Sequence, residues 1–192
     1  MTRILILQGH PDPSETHLCH AIAESYRIAA EQNGHEVQVI RIAQENIPYL
    51  RSKAEWESGD LPAVAKTGQA AVRTADHIVL VYPLWMGDLP AIVKAWIEQV
   101  LRKGFAFEMD GKRWKPALKG KSARVIVTMG MPGLAYRWFF FAHSLRSLDR
   151  NILKFCGLGP VKWSIFGNAE DPSGQTQKAF LAKAETLGRI AQ

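Results

Sequence analysis

The sequence has 192 residues, of which 47% are hydrophobic, and a formal net charge of +6. This length favours one domain with a single substantial core, and the lack of an apolar run of about 18 residues argues against a membrane span. The two cysteines, Cys19 and Cys156, form no CxxC motif, and no signal peptide is recognisable. We therefore expect reduced thiols and a cytoplasmic protein.

The positive charge does not by itself indicate nucleic-acid binding. The Lys and Arg residues are scattered, and the densest cluster surrounds a segment without a recognition helix. Its members are Lys112, Arg113, Lys115, Lys119, Lys121 and Arg124. We interpret this cluster as a solvated surface or as an attraction for anionic cofactors. His17 and His20 are accompanied by too few other metal-binding residues to predict a metal site.

The chain opens with a short apolar strand, residues 3–8, followed by a loop and a helix. Pro11 and Pro13 end the strand, and we expect a helix over residues 15–32 with Ser14 as its N-cap. A strand–loop–helix unit directs free backbone N–H groups and a helix dipole at the loop, which suits a phosphate. Side chains that would contact such a ligand are His10, Ser14, Thr16 and His17. The alternative is that Ser14 only caps the helix and His10 only packs.

Strands and helices alternate along the remaining chain. The hydrophobic pattern predicts strands at 36–42, 77–83, 123–129 and 161–166, and helices at 63–75, 90–102, 139–155 and 173–190. Five strands separated by helices predict an α/β fold in which one doubly wound parallel sheet has helices on both faces. Residues 44–62 are predicted to form a long loop, and residues 103–121 a loop or short hairpin.

The loop after the strand at 77–83 has an unusual composition. Polar residues are expected in a turn, yet Trp85 and Met86 stand there, just before a helix that begins near Pro90. Ligands bind at the carboxyl ends of strands in open α/β sheets. An apolar, aromatic loop at that edge indicates a flat, planar ligand. The alternative is that both side chains only fill space in the core.

A third loop follows the strand at 123–129 and brings Thr128, Gly130 and Tyr136 to the same edge of the sheet. Its glycines permit close approach of the backbone to a ligand. Three such loops match the switch point of a flavodoxin-like sheet with strand order 2-1-3-4-5. Because no Gly-x-Gly-x-x-Gly fingerprint follows the first strand, we expect a nicotinamide to be a visiting substrate and not the tightly bound group.

The chain resembles the flavodoxin-like NAD(P)H:quinone oxidoreductases. This family includes enzymes of the DT-diaphorase type, modulators of drug activity and ancillary flavoproteins of glutathione-gated potassium efflux systems. The segments that carry the resemblance are LILQGHPDPSETH, DHIVLVYPLWMGDLPAIVKAWIEQVL, VTMGMPGLAY and ILKFCGLGPV. It implies one flavodoxin-like domain over residues 1–192, with a flavin that carries hydride from NAD(P)H to a quinone by a ping-pong mechanism.

The resemblance also implies roles for individual residues. The flavin phosphate end would be held by His10, Ser14, Thr16 and His17. One edge of the isoalloxazine would be lined by Pro83, Leu84, Trp85, Met86 and Gly87, and the other by Thr128, Gly130 and Tyr136. Tyr136 and His143 would be the catalytic pair, although they stand further apart here than in the diaphorase branch. Because only a short segment follows the last strand, we favour FMN over FAD.

Residues 138–141, Trp-Phe-Phe-Phe, form an aromatic run. Four successive rings cannot all face one core, and exposed apolar patches usually mark an interface. The family implies a homodimer that closes the flavin site between two chains. A second functional hypothesis is a regulatory flavoprotein that associates peripherally with a membrane potassium-efflux transporter and activates it, with redox activity secondary.

Overall fold

Alternating strands and helices build one five-stranded sheet in the computed structural model, which describes residues 1–14, 16–111 and 113–192. Lys112, a member of the predicted basic cluster, lies outside the described residues, as does Glu15, where the first predicted helix begins. In chain order the elements are β1 (Arg3–Gln8), α1 (Leu18–Gln32), β2 (Glu36–Arg41), α2 (Lys53–Ser58), α3 (Ala63–Thr74), β3 (His77–Pro83), α4 (Ala91–Val100), β4 (Phe107–Asp110), β5 (Arg113–Pro116), β6 (Ser122–Thr128), α5 (Gly133–Trp138), α6 (His143–Ser147), β7 (Val161–Phe166) and α7 (Gln175–Arg189).

The sheet order is β2-β1-β3-β6-β7, and each neighbouring pair is parallel. Counted along the five sheet strands, this is the predicted order 2-1-3-4-5. The two remaining strands, β4 and β5, form an antiparallel hairpin within residues 103–121, where the sequence predicts a loop or hairpin. The switch point lies between β1 and β3, so the loops that follow these strands open toward the same crevice.

Alternating residues of the central strands pack into two hydrophobic cores, one on each face of the sheet. On β1, Leu5 and Leu7 pack on the side of α3 and α4, whereas Ile4 and Ile6 pack on the side of α1 and α7. Both faces of a parallel sheet are buried by helices, which explains the nearly continuous apolar runs of β1, β3 and β6. This packing fixes where the strands end, and hence where the loops of the site begin.

The predicted helix over 139–155 is correct only for residues 143–153. The chain forms α5, then a break, then α6 and a π-helical turn over Leu148–Leu153. At the break, Phe141 and Ala142 have φ values of 53° and 48°, in the left-handed region that ends a right-handed helix. No glycine or proline marks this break, so no local sequence signal predicts it. The segment 44–62 is also not all loop, because it contains α2.

The interpretation of the basic cluster as solvated surface needs correction at two positions. Arg124 lies on β6 and is 6% exposed, with its guanidinium bonded to the Ser164 hydroxyl. Lys121 donates its ammonium to the backbone carbonyls of Arg73 and Ala75, and so ties β6 to the end of α3. In the described part of the chain, no helix is long and apolar enough to cross a membrane.

Candidate functional site

The three predicted loops do meet at one edge of the sheet. Backbone hydrogen bonds join their first residues to neighbouring strands, from Gly9 N to Val81 O at 2.7 Å and from Leu84 N to Thr128 O at 2.8 Å. The rings of His10 and Trp85 face each other edge-on, with their centroids 6.1 Å apart. A Cβ at Gly9 would stand 2.9 Å from a methyl group of Val93, so this glycine lets the end of β1 lie close to α4. The loops after β1, β3 and β6 therefore form one crevice.

The loop after β1 is organised by a pair of histidines and an aspartate. The rings of His10 and His17 stack with centroids 3.8 Å apart, and His17 Nε2 lies 2.8 Å from Asp12 Oδ2. Burial lowers the pKa of His10, and the nearby His17 lowers it further, so we expect His10 to be neutral at pH 7. The hydrogen bond from His17 lowers the pKa of Asp12. Sequence reasoning missed Asp12, although its position two residues after His10 was visible.

The predicted N-cap of α1 is wrong. The helix begins at Leu18 with His17 as the N-cap residue, and no side chain caps it. Ser14 lies before the helix in a turn closed by Asp12, and its hydroxyl is 3.0 Å from that of Thr16. Both residues are exposed and stand shortly before the first turn of α1. This arrangement supplies several donors for an anionic group in the part of the loop that the structure describes.

The loop after β3 is a tight two-residue turn. Trp85 and Asp88 exchange backbone hydrogen bonds of 2.9 and 3.0 Å, and the two residues between them, Met86 and Gly87, have φ values of 48° and 82°. These values are those of a type I′ turn, in which both central residues are left-handed. The Trp85 side chain is 51% exposed and Met86 is fully exposed. The alternative that both fill the core is therefore wrong.

A left-handed, solvent-exposed methionine is an unfavourable choice for its position. A non-glycine residue in this conformation carries strain of about 1 to 2 kcal/mol, and Met86 gains no burial in return. Strain that the fold does not need often accompanies a ligand contact. Pro83 and Leu84, which precede the turn, are partly buried and form its base.

The predicted site residues of the loop after β6 differ in their burial. Thr128 is buried, and its hydroxyl lies 3.2 Å from the Cys19 thiol, whose pKa burial raises to about 12. Thr128 therefore supports the crevice from below. Gly130 is exposed, and a Cβ there would stand 3.3 Å from a carboxylate oxygen of Glu170. This glycine keeps the gap between the loops after β6 and β7 open.

Tyr136 and His143 do not contact each other among the interactions that the structure describes. Tyr136 is 2% exposed, and its hydroxyl lies 2.6 Å from Ser144 Oγ and accepts from the backbone N–H of Leu145 at 3.3 Å. His143 is exposed at the start of α6, with its ring 5.9 Å from that of Phe141. Their catalytic roles stay predictions, and for Tyr136 that role requires its hydroxyl to leave Ser144.

A cavity of about 490 Å³ opens beside the Trp85 turn, between the start of α4 and the segment 144–152. Its apolar wall includes Trp85, Leu89, Pro90, Leu148 and Ile152, and its polar wall includes Ser144. Sequence reasoning missed Ser144, because it fell within a predicted continuous helix that carried no motif. The aromatic run 138–141, just before this segment, is 47–76% exposed along its length. The prediction that these four rings are not all buried is confirmed.

Comparison with known proteins agrees with this architecture. The model of a family described as flavodoxin-like fold matches residues 2–189. An uncharacterized NAD(P)H oxidoreductase of Haemophilus influenzae is 28% identical over 184 residues, which cover 94% of this chain and 91% of the relative. An FMN-dependent NADH:quinone oxidoreductase of Erythrobacter litoralis is 31% identical over 175 residues, which cover 84% of this chain and 86% of the relative.

A solved structure shows the same fold. The NAD(P)H:quinone oxidoreductase of Methanothermobacter marburgensis superposes with a TM-score of 0.84 at 22% identity, covering 100% of this chain and 99% of that one, which is similarity of fold. The chain spans about half the length of the mammalian ribosyldihydronicotinamide dehydrogenases that it matches. With a family match over nearly its whole length, a flavodoxin-type strand order and a three-loop crevice at the switch point, the chain belongs to the flavodoxin-like fold family.

Proposed function

We propose that the protein is an NAD(P)H:quinone oxidoreductase with FMN as its bound cofactor. The observation that carries this proposal is the Trp85–Gly87 turn, which presents an exposed tryptophan and a strained, exposed methionine beside the His10 loop. Two relatives that match most of this chain are named as an NAD(P)H oxidoreductase and an FMN-dependent NADH:quinone oxidoreductase. Such a turn suits the edge of a planar ring, and the loop after β1 suits a phosphate.

The residues around the crevice fit FMN by the chemistry of their donors. His10, Ser14, Thr16 and His17 would hold the phosphate end, provided that Asp12 turns away from the incoming anion. Pro83 to Gly87 would line one edge of the isoalloxazine, and Thr128, Gly130 and Tyr136 would support the other. FAD is the alternative. No group of metal-binding side chains is found among the described residues, and the proposed mechanism uses none.

The FMN, when bound, supplies a centre that accepts a hydride from NAD(P)H and passes it to the acceptor. The chain contributes position and electrostatics. Within the turn, the N–H groups of Met86 and Gly87 make no hydrogen bond to the described part of the chain, so they are free to stabilise negative charge on the ring. A donor of this kind is worth about 3 kcal/mol. The exposed Trp85 side chain would exclude water from one side.

A single open face of the bound flavin would take the hydride donor, NAD(P)H, and the quinone acceptor in turn. NAD(P)H would bind, give up its hydride and leave before the quinone enters, which is a ping-pong sequence. We further propose that the exposed aromatic run 138–141 pairs two chains as a homodimer that closes the crevice. The protein would act in the cytoplasm. Regulation of a potassium-efflux transporter is the second hypothesis, and no contact described in the structure favours it.

Cofactor identification and steady-state kinetics test this function. The purified protein should be yellow, and heating should release FMN that chromatography identifies. Turnover of menadione or benzoquinone with NADH and with NADPH should give parallel double-reciprocal lines at several quinone concentrations. Intersecting lines would refute the shared face, and a colourless protein that ignores added flavin would refute the proposed function as a whole. A pull-down from membranes would separate the regulatory hypothesis from the enzymatic one.

A further inference from the structure

Ser144 is the one strongly buried hydroxyl side chain on the wall of the cavity beside Trp85, among the residues that the structure describes. It is 7% exposed, and its Oγ lies 2.6 Å from the hydroxyl of Tyr136. The apolar residues of the cavity wall include Trp85, Leu89 and Leu148. The cavity of about 490 Å³ has an apolar wall and a buried hydroxyl at Ser144, besides the exposed polar side chains of Asp88, Lys94 and Ser147. Such a lining suits a small planar carbonyl compound.

The hydrogen bonds around Tyr136 set the direction in which Ser144 can donate. The backbone N–H of Leu145 donates to the Tyr136 oxygen at 3.3 Å. Either hydroxyl could be the donor in this pair, but a phenol is the better donor, and donation from Tyr136 to Ser144 Oγ gives the buried Tyr136 proton a partner. Ser144 then keeps its O–H free for a partner on the cavity side. Chains of this kind polarise each successive donor.

We propose that Ser144 donates a hydrogen bond to the carbonyl oxygen of the quinone acceptor in this cavity, with Tyr136 as its positioning residue. The proposal rests on the proposed function. Its chemistry is balanced. NAD(P)H gives up a hydride and leaves as NAD(P)⁺, and the quinone gains that hydride and one proton from water to leave as the hydroquinone. Negative charge develops on the carbonyl oxygen before that proton arrives, and a fixed donor at this point stabilises it.

The assignment separates the role of Ser144 from those predicted for Tyr136 and His143. The buried Tyr136 hydroxyl is engaged on both sides and reaches a ligand only through Ser144. His143 is exposed beside Phe141, and it is not among the residues that line the cavity. The acceptor class is therefore a carbonyl compound, for which a hydrogen-bond donor matters, and not an outer-sphere electron acceptor such as ferricyanide, which needs none.

The test compares two acceptors on the FMN-loaded protein and three variants, Ser144→Ala, Ser144→Thr and Tyr136→Phe. With benzoquinone, Ser144→Ala should lower kcat/KM on the order of 100-fold, the loss typical of a missing oxyanion donor. Ser144→Thr keeps a hydroxyl and should restore most of this loss, and Tyr136→Phe should cause a smaller decrease. Ferricyanide needs no hydrogen-bond donor, so Ser144→Ala should lose far less turnover with ferricyanide than with benzoquinone, and the ratio of the two rates is the readout.

Several results would overturn the proposal. One is unchanged benzoquinone turnover in Ser144→Ala. Another is an equal loss of turnover with both acceptors in that variant, because an equal loss would indicate a structural role for Ser144. If Ser144→Ala does not fold or bind FMN, the decision falls to Tyr136→Phe, whose benzoquinone turnover must then fall by a larger factor than its ferricyanide turnover. A parent protein that reduces neither acceptor would contradict the proposed function itself, whereas an active parent with an indifferent Ser144 contradicts only this inference.

Discussion

The strained turn at Met86 leads to a prediction in which stability and cofactor affinity move in opposite directions. Met86 has a φ of 48° and is fully exposed, so its side chain contributes no packing to the cofactor-free protein. Asparagine tolerates the left-handed region, and Asn-Gly is the preferred pair in a type I′ turn. Met86→Asn should therefore raise the free energy of unfolding by about 1 kcal/mol, the strain of a non-glycine residue in this region.

The same substitution should weaken FMN binding. A methionine sulfur against an aromatic ring contributes about 0.3–1.5 kcal/mol, and a loss of about 1 kcal/mol corresponds to a roughly fivefold higher Kd. Urea unfolding of the cofactor-free protein measures the first effect, with a Tm rise of about 2–4 °C as a parallel readout for a chain of this size. Fluorescence titration with FMN measures the second effect.

Gly87→Ala is the matched control for this turn. It leaves the Met86 side chain in place and adds strain at a φ of 82°, so the cofactor-free protein should lose about 1 kcal/mol of stability. If Met86→Asn stabilises the protein and FMN binds as before, Met86 does not contact the ring. If Met86→Asn brings no gain in stability, the argument from backbone strain is refuted.

Three further predictions follow from the described geometry. Trp85→Ala should weaken FMN binding by about 1–3 kcal/mol, the value of a base–aromatic contact, and leave the far-UV circular dichroism unchanged. If the variant binds FMN as tightly as the parent, Trp85 does not contact the flavin ring. Replacing both Phe140 and Phe141 with Ser should shift the mass in light scattering toward the monomer and lower quinone turnover, and a fully active parent monomer would remove the case for a shared site. Burial and the nearby Arg124 lower the pKa of His77 to about 4. Because the unfolded chain binds a proton near pH 6.5 and the folded chain only near 4, stability should fall by up to about 3 kcal/mol as the pH drops through this window. His77→Asn should flatten that slope in urea titrations between pH 7 and 4, and an unchanged slope would assign it to other groups.

The fold was predictable because its signals are local. Apolar runs such as residues 3–8 and 123–129 can be read directly, and a parallel sheet buried on both faces requires such runs. Right-handed crossovers and the switch-point rule then bring the loops after β1, β3 and β6 to one edge, without any knowledge of side-chain contacts. Trp85 and Met86 were visible for the same reason, since apolar residues in a turn conflict with the local pattern.

The details of the site depend on contacts between residues that the sequence does not connect. No local pattern indicates that Asp12 rather than Ser14 organises the first loop, because the partners of its carboxylate are set by how the loop folds over His17. The break at Phe141 and Ala142 contains no glycine or proline, so no local pattern predicts it.

The position of Ser144 follows from that break. Only after the chain turns at 141–142 does Ser144 meet the buried hydroxyl of Tyr136, eight residues earlier, and reach the wall of the cavity. Hydrophobic period and chain chirality are properties of short segments, so the sheet, its strand order and the three loops can be predicted from the sequence. Which hydroxyl faces the cavity depends on the tertiary fold, because hydrogen-bond direction depends on groups that the fold brings together.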